Sequence, residues 1–190
     1  MPRDAGPQVG PVPMDVAGPA DYLAAALPDV LRIAALAPDT VGGLLLRARP
    51  GPVREAVLAY AAAVLGPPVR LNPALEDEAL YGGLDLTATL AARRPVRRPG
   101  LFDRDNTVFL MPMADRLSPA MAARLSAMLD AGRGNLLIAL DEGASAEEAP
   151  PLALVDRLGL YLDTTLVLPS DLALPAPAPV VSGPMPATAR

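Results

Sequence analysis

Short apolar runs alternate with helix-like stretches along the central part of the chain. Residues 41–47 form an apolar run typical of a buried strand, and residues 53–65, after a turn at 49–52, have helical spacing. The same patterns predict strands at 69–71, 106–111, 136–140 and 160–168 and helices at 21–36, 84–92, 118–131 and 151–158. Because strands that alternate with helices form βαβ units, the chain is predicted to have an α/β fold with a mostly parallel sheet.

Local signals refine three of these elements. Pro28 followed by Asp29 predicts a break and a fresh helix start within 21–36. Ser118 followed by Pro119 predicts the start of an amphipathic helix. The alternating run at 160–168 predicts an edge strand.

The two ends of the chain lack periodicity. Residues 1–20 contain five prolines and three glycines, which predicts a flexible arm. Residues 169–190 are rich in proline and alanine, which predicts a disordered tail. One domain is therefore expected at 21–168, and its length and the 52% hydrophobic content of the chain are sufficient for a core.

The composition restricts the available chemistry. All basic residues are arginines, and the 190 residues include no lysine, histidine or cysteine. This excludes a Schiff base, an imidazole base, a thiolate nucleophile and the usual zinc ligands. Any catalysis would depend on carboxylates, hydroxyls and guanidinium groups.

The net charge of −5 makes nucleic acid an unexpected partner. The one basic cluster consists of Arg93, Arg94, Arg97 and Arg98, and it has two interpretations: a weak contact with an anionic partner surface, or an extended, solvated loop held by prolines. No apolar run is long enough for a membrane span and the first residues do not form a secretory signal, so a cytoplasmic location is expected.

The segment 41–65 has the strand–turn–helix order of a nucleotide-binding P-loop, which requires glycines, a lysine and a Ser or Thr in the pattern G-x-x-x-x-G-K-[ST]. Against that pattern Arg47 and Pro52 replace the glycines, while Val53 and Arg54 replace the lysine and the hydroxyl residue. Gly51 is retained within the turn. The expected site is therefore a degenerate P-loop with no firmly bound cofactor and no metal.

Three further blocks extend this pattern: residues 80–92 with Gly100-Leu101, residues 110–117, and residues 139–144 continuing to 150–163. With them, residues 25–168 resemble the N-terminal AAA+ module of the D subunit of magnesium chelatase, an enzyme of bacteriochlorophyll and chlorophyll biosynthesis. The chain is shorter than a D subunit, which continues into a helical lid, an acidic proline-rich linker and an integrin-like domain. The resemblance implies a P-loop NTPase (AAA+)-like, three-layer α/β/α fold.

The resemblance also implies a function. Magnesium chelatase is an ATP-dependent ligase that inserts Mg²⁺ into protoporphyrin IX. The implied role of this chain is a ring-forming platform that does not hydrolyse ATP, beside an AAA+ ATPase subunit, which uses ATP and Mg²⁺, and a large porphyrin-binding subunit. Arg157 then corresponds to an arginine that reaches a neighbour's nucleotide, as a trans-acting finger.

Several alternatives remain open. Arg157 could be a surface arginine paired with Asp156 or Asp163. The pair Asp141-Glu142 could bind a metal, but a solvated loop is the favoured interpretation. The chain as a whole could be an active P-loop ATPase, which Val53, Pro112 and Met113 oppose, or a free-standing or decayed adaptor fragment with no chelatase role.

Overall fold

The computed structural model of the protein describes residues 18–145 and 147–178. A five-stranded sheet forms its centre, and every strand pair in that sheet is parallel. The strands are β1 (Gly43–Arg47), β2 (Val69–Arg70), β5 (Val108–Met111), β6 (Leu136–Asp141) and β7 (Leu160–Asp163), in the spatial order β2-β5-β6-β1-β7. The predicted α/β architecture with a mostly parallel sheet is confirmed.

Helices cover both faces of this sheet. The helices are α1 (Pro19–Leu36), α2 (Pro38–Val41), α3 (Pro52–Leu65), α4 (Asp77–Tyr81), α5 (Leu86–Ala92), α6 (Pro119–Asp130) and α7 (Leu152–Val155). Along β1, Leu44 and Leu46 pack with α1 and α3, whereas Leu45 packs with α6 on the other face. Because successive strand residues face opposite sides, one short apolar strand supplies two cores.

A small insert separates α4 from β5. Strands β3 (Gly83–Leu84) and β4 (Arg97–Arg98) pair antiparallel, and α5 lies between them in sequence. Arg97 and Arg98 are extended and exposed as predicted, but they form a short paired strand where the sequence predicted a loop. Short-range contacts hold the insert together: Asp85 caps α5 by accepting the Ala88 N–H, and the Val96 N–H donates to the Thr89 hydroxyl.

The predicted break at Pro28 is wrong, because α1 continues through it as one helix. Proline removes one backbone N–H from a helix. The buried stripe of Leu23, Leu27 and Leu31 runs past the proline, and its packing against the sheet outweighs the lost hydrogen bond.

The edge position of the last strand is confirmed, but the strand is shorter than predicted. It ends at Asp163 because Oδ1 of that residue accepts hydrogen bonds from the backbone N–H and the hydroxyl of Thr165, which bends the chain into a turn. Beyond this turn, Leu172 and Leu174 pack against the α1–α3 core.

The predicted domain limits at 20 and 168 stay predictions. Most of the predicted arm, residues 1–17, lies outside the described residues, as do residues 179–190 of the predicted tail. Within the described part of the chain, no helix has the length and apolar character required to cross a membrane.

Candidate functional site

The segment predicted to be a degenerate P-loop lies where the carboxyl ends of β1 and β6 meet. Arg47 is the last residue of β1, and Asp141 is its register partner at the end of β6. The turn at 48–51 then leads into α3, with Pro52 at its first position and Val53 buried beneath it. The predicted strand–turn–helix order is thus confirmed, with Gly51 at a positive φ of 150° at the helix start.

An ion pair joins the two strand ends. Arg47 Nη1 donates to Asp141 Oδ2 at 2.9 Å, and Arg47 Nη2 donates to the Gly143 carbonyl at 3.2 Å. The Asp141 side chain is 4% exposed, and its other oxygen accepts the Gly143 N–H. Because a buried carboxylate requires compensation, the Arg47 guanidinium is the group that makes this buried position tolerable.

A second ion pair lies beside the first. Arg54 in the first turn of α3 donates through Nη1 to Glu142 Oε1 at 3.0 Å, and both side chains are about one-fifth exposed. Arg54 Nε is buried and has no hydrogen-bond partner within the described residues. The backbone N–H of Glu142 donates in turn to Asp115 Oδ1, so a third carboxylate fixes this loop.

The interpretation of Asp141-Glu142 as a solvated loop is therefore wrong. Asp141 is buried, and both carboxylates are paired with guanidinium groups. No local pattern indicates this pairing, because Arg47 and Asp141 are 94 residues apart and only the register of β1 on β6 brings them together.

The site residues that sequence reasoning missed include Asp115. Its side chain is 1% exposed, although the sequence pattern around it indicates only the end of a strand. The position of Asp115 in the sequence could have indicated its place in the site. Asp115 follows β5, and β5 is the neighbour of β6. The carboxyl ends of adjacent parallel strands lie side by side in a sheet, so Asp115 is expected near Asp141.

Arg157 lies at the opposite edge. It precedes β7 and lies near the amino end of β1, whereas Arg47 lies at the carboxyl end of β1. The two ends of β1 are roughly 13 Å apart, the length of four residue steps of an extended strand. The packing here is close: Gly42 has φ +68°, and a Cβ at this position would clash with the Arg157 carbonyl oxygen.

The partner of Arg157 differs from both alternatives suggested by the sequence. Its Nε donates to the two oxygens of Asp130 at 2.9 and 3.0 Å, and its Nη1 donates to the Ala153 carbonyl. Asp130 is the last residue of α6, where a carboxylate opposes the helix dipole and a nearby cation offsets it. Arg157 is thus an exposed arginine in an ion pair, as one alternative held, but the partners named there, Asp156 and Asp163, are wrong.

The Arg157 side chain remains 38% exposed. It lines an open cleft of about 380 Å³ together with Asp39, Asp130 and Asp156. This arrangement leaves a guanidinium that is positioned by one carboxylate and accessible from outside the chain.

The four clustered arginines lie on the insert. Arg98 pairs with Glu78 at 2.9 Å and Arg97 pairs with Asp103 at 3.5 Å. Arg93 ends α5 in a left-handed conformation (φ 51°), and Arg93 and Arg94 are both exposed. All four arginines are therefore exposed, and within the described residues only Arg97 and Arg98 form ion pairs.

Two curated proteins are similar to the chain over most of its length. The magnesium-chelatase 60 kDa subunit of Cereibacter sphaeroides is 47% identical over 133 residues, which cover 70% of this chain and 24% of that protein. The same subunit of Rhodobacter capsulatus is 45% identical over 147 residues, which cover 76% of this chain and 26% of that protein. The chain thus spans about a quarter of the length of these relatives. No family model matches it.

A solved structure supports the fold. A chain in a complex between subunits BchI and BchD of magnesium chelatase, based on a single-particle cryo-EM reconstruction, aligns with a TM-score of 0.55 over 72% of this chain and 57% of that one. The sequence identity is 15%, so this likeness concerns the fold, which is of the P-loop NTPase-like α/β type. From the sequence similarity, the chain is homologous to part of the magnesium-chelatase 60 kDa subunit.

Proposed function

We propose that the chain is a platform module of the D subunit of magnesium chelatase, which supports ATP-driven insertion of Mg²⁺ into protoporphyrin IX without hydrolysing ATP itself. The observation that carries this proposal is the pair of salt bridges, Arg47–Asp141 and Arg54–Glu142, at the P-loop edge. They occupy the place where a nucleotide-binding chain of this fold needs phosphate and Mg²⁺ contacts.

The residues at this edge do not fit Mg-ATP. A phosphate would have to break the ion pairs of Arg47 and Arg54, and the partner carboxylates would then face its negative charge. Pro52 offers no backbone N–H, and Val53 contributes no ammonium group. Asp115, the carboxylate nearest the end of β5, already accepts the Glu142 N–H. These features oppose the alternative of an active P-loop ATPase.

The partners belong to the same proposal. They are the AAA+ ATPase subunit, which uses ATP and Mg²⁺, and the large porphyrin-binding subunit. The cryo-EM complex with a similar fold contains subunits BchI and BchD, which favours assembly of this chain with another chelatase subunit. The Rhodobacter and Cereibacter relatives favour the bacteriochlorophyll pathway, and a cytoplasmic location is part of the proposal.

Within this assembly we assign Arg157 the role of a trans-acting finger. It lies at the sheet edge opposite the P-loop positions of its own chain, so it could reach a nucleotide only in a neighbouring subunit. Its exposure and its single carboxylate partner, Asp130, leave it able to exchange that partner for a phosphate group.

The experiment is co-elution of the chain with the ATPase subunit, with and without Mg-ATP, with ATP turnover assayed in each fraction. We expect nucleotide-dependent association, no turnover by this chain alone, and a loss of partner turnover of about tenfold or more in Arg157→Ala. Arg133→Ala is the matched control, because Arg133 is similarly exposed at 43% and paired with Asp105.

The platform role and the finger role can fail separately. Turnover by the isolated chain would contradict the platform role. Association without any effect of Arg157→Ala would remove the finger role and keep the platform. No association under any nucleotide condition would favour the free-standing adaptor.

A further inference from the structure

The insert carries an apolar face that the rest of the described chain leaves exposed. Leu84, Leu86 and Leu90 are 52%, 68% and 79% exposed, and α5 contains no buried residue. Leu86 and Leu90 are four residues apart, so they lie on the same side of α5. Exposed leucines that are grouped in this way form a patch, and such patches mark sites of interaction with another molecule or with a membrane.

The opposite side of α5 faces the insert itself. Thr89 is half-buried, and its hydroxyl accepts the Val96 N–H at 2.9 Å. Asp85 accepts the Ala88 N–H at the start of the helix, and its own N–H donates to the Val96 carbonyl at 2.8 Å. These hydrogen bonds within the insert fix α5 so that its leucines point outward.

The base of the insert is attached closely to the rest of the fold. Gly82 and Gly100 lie against each other's backbone, and a Cβ on either residue would clash there. Tyr81 stacks edge-on against Phe102 at 5.6 Å, and Phe102 stacks against Phe109 of β5 at 5.9 Å. The exposed leucines are therefore carried on a base that is packed against the central sheet.

Positive charge borders these leucines. Residues 86–98 contain four arginines and no carboxylate. Arg97 and Arg98 pair with carboxylates outside that segment, whereas Arg93 and Arg94 are exposed and form no ion pair within the described part of the chain. We call Leu84, Leu86, Leu90, Arg93 and Arg94 the insert face.

The rest of the chain carries the opposite charge. The net charge of −5 includes the four arginines of 86–98, so the remaining residues together carry −9. An anionic surface therefore attracts the insert and repels the rest of the chain. Charge complementarity thus selects an anionic surface for the insert face and orients the chain toward it.

The exposed side chains favour a lipid surface over an acidic protein. The exposed large apolar side chains of the insert face are leucines, and leucine is under-represented among the residues that dominate binding between proteins. Leucines beside arginines are typical of segments that lie at the boundary between lipid headgroups and acyl chains. There the arginine stem stays among apolar groups while the guanidinium reaches the phosphates.

We propose that the insert face binds the surface of a bilayer that contains anionic phospholipids. Leu86 and Leu90 enter the boundary between headgroups and acyl chains, and Arg93 and Arg94 contact lipid phosphates. Each arginine strengthens the binding about fivefold. Because the three leucines bury little apolar area, the binding is reversible and depends on these charges.

The first test is flotation of the full chain with vesicles of phosphatidylcholine, alone or mixed with phosphatidylglycerol. We expect binding that increases with the phosphatidylglycerol fraction and decreases as salt screens the charges. Arg93→Gln/Arg94→Gln should weaken this binding about 25-fold, the product of two fivefold contributions. Arg32→Gln/Arg49→Gln is the matched control, because it removes the same charge at exposed positions outside the insert, and it should bind like wild type.

The second test measures whether the leucines enter the lipid. The chain contains no tryptophan, so a single introduced tryptophan gives an unambiguous emission signal. In Leu90→Trp we expect a blue shift with anionic vesicles and quenching by bromine-labelled acyl chains. Leu36→Trp is the control, because Leu36 is 53% exposed on α1, outside the insert, and its emission should not change. Inorganic phosphate, which supplies the anion without acyl chains, should change neither signal.

Three outcomes would overturn the proposal. They are a wild-type chain that does not bind anionic vesicles in low salt, a control variant that loses binding as fully as Arg93→Gln/Arg94→Gln, and a Leu90→Trp emission that vesicles do not change. Circular dichroism melts of each variant establish that it is folded.

An acidic protein partner would give a different pattern. The wild type would not bind vesicles, and folded Arg93→Gln/Arg94→Gln would no longer co-elute with the ATPase subunit, which would assign the insert face to that protein instead. The vesicle tests contain no chelatase subunit, so their failure would leave the proposed chelatase role untouched.

Discussion

An Arg–Asp salt bridge lies at each end of the parallel strands, and the two salt bridges differ in how far their side chains are buried. At the carboxyl edge, Arg47 and Asp141 form a salt bridge with the carboxylate 4% exposed. At the amino edge, Arg157 and Asp130 form one of equal length, 2.9 Å, with side chains 38% and 55% exposed. Equal length therefore does not mean equal function: water can replace either partner of the Arg157–Asp130 pair, whereas loss of Arg47 would leave the Asp141 carboxylate buried without a counter-charge.

This difference bears on what each edge can do. A buried pair contributes to the fold, while an exposed pair can exchange its partner at little cost. The position that resembles a nucleotide site thus holds the more buried pair, and the more exposed guanidinium lies at the amino ends of the strands.

The largest expected loss of stability comes from removing Arg47, the partner of the buried Asp141 carboxylate. Arg47→Met leaves the Asp141 carboxylate buried without a counter-charge, and we expect the free energy of unfolding to fall by about 2–3 kcal/mol. Urea or guanidinium denaturation measures this loss.

The control for that change is the double variant Arg47→Met/Asp141→Asn. The amide removes the uncompensated charge and can still accept the Gly143 N–H, so much of the stability should return. An Arg47→Met variant as stable as wild type would contradict the view that Arg47 compensates the charge of the buried Asp141 carboxylate.

The exposed Arg157–Asp130 pair should contribute much less to the free energy of unfolding. A double-mutant cycle of Arg157→Ala and Asp130→Ala is expected to give a coupling free energy of about 0.5 kcal/mol, decreasing as salt is added. The measurement is the denaturant midpoint of the two single variants, the double variant and wild type. A coupling free energy as large as that between Arg47 and Asp141 would contradict the expected difference between the two salt bridges.

The smallest expected effect is a pH dependence at the far strand. Because the pKa of Asp163 is lowered from 3.8 in the folded state, its contribution to stability is complete above that value and is lost as the pH falls through the folded-state pKa. Thr165→Val removes the hydroxyl donor and should move the Asp163 pKa upward. NMR titration of the Asp163 carboxyl group checks this shift, and an unchanged pKa in the variant would contradict it.

The fold was largely predictable because each element carries a local signal. The apolar run of β1, the Ser118-Pro119 start of α6 and the buried run of β6 all predict elements that are confirmed. The errors arose where tertiary packing outweighed a local preference, as at Pro28 in α1, or where a side chain ended a strand, as at Asp163 in β7.

The sequence predicted where the candidate site lies and which chemical groups it lacks, but not which residues pair with each other there. The missing P-loop chemistry is visible in Val53 and Arg54 themselves, since a residue type cannot supply a group it lacks. The partners of Arg47, Arg54 and Arg157 were not visible, because they are 94, 88 and 27 residues away in sequence.

By itself the sequence determined the order of strands and helices, the two-sided apolar core and the set of chemical groups available, because these depend on spacing and composition. Only the tertiary structure decided which charges neutralise each other and which arginines stay exposed. The physical reason is that strand register and burial set the electrostatic environment of each group, and both arise from contacts between residues distant in the chain.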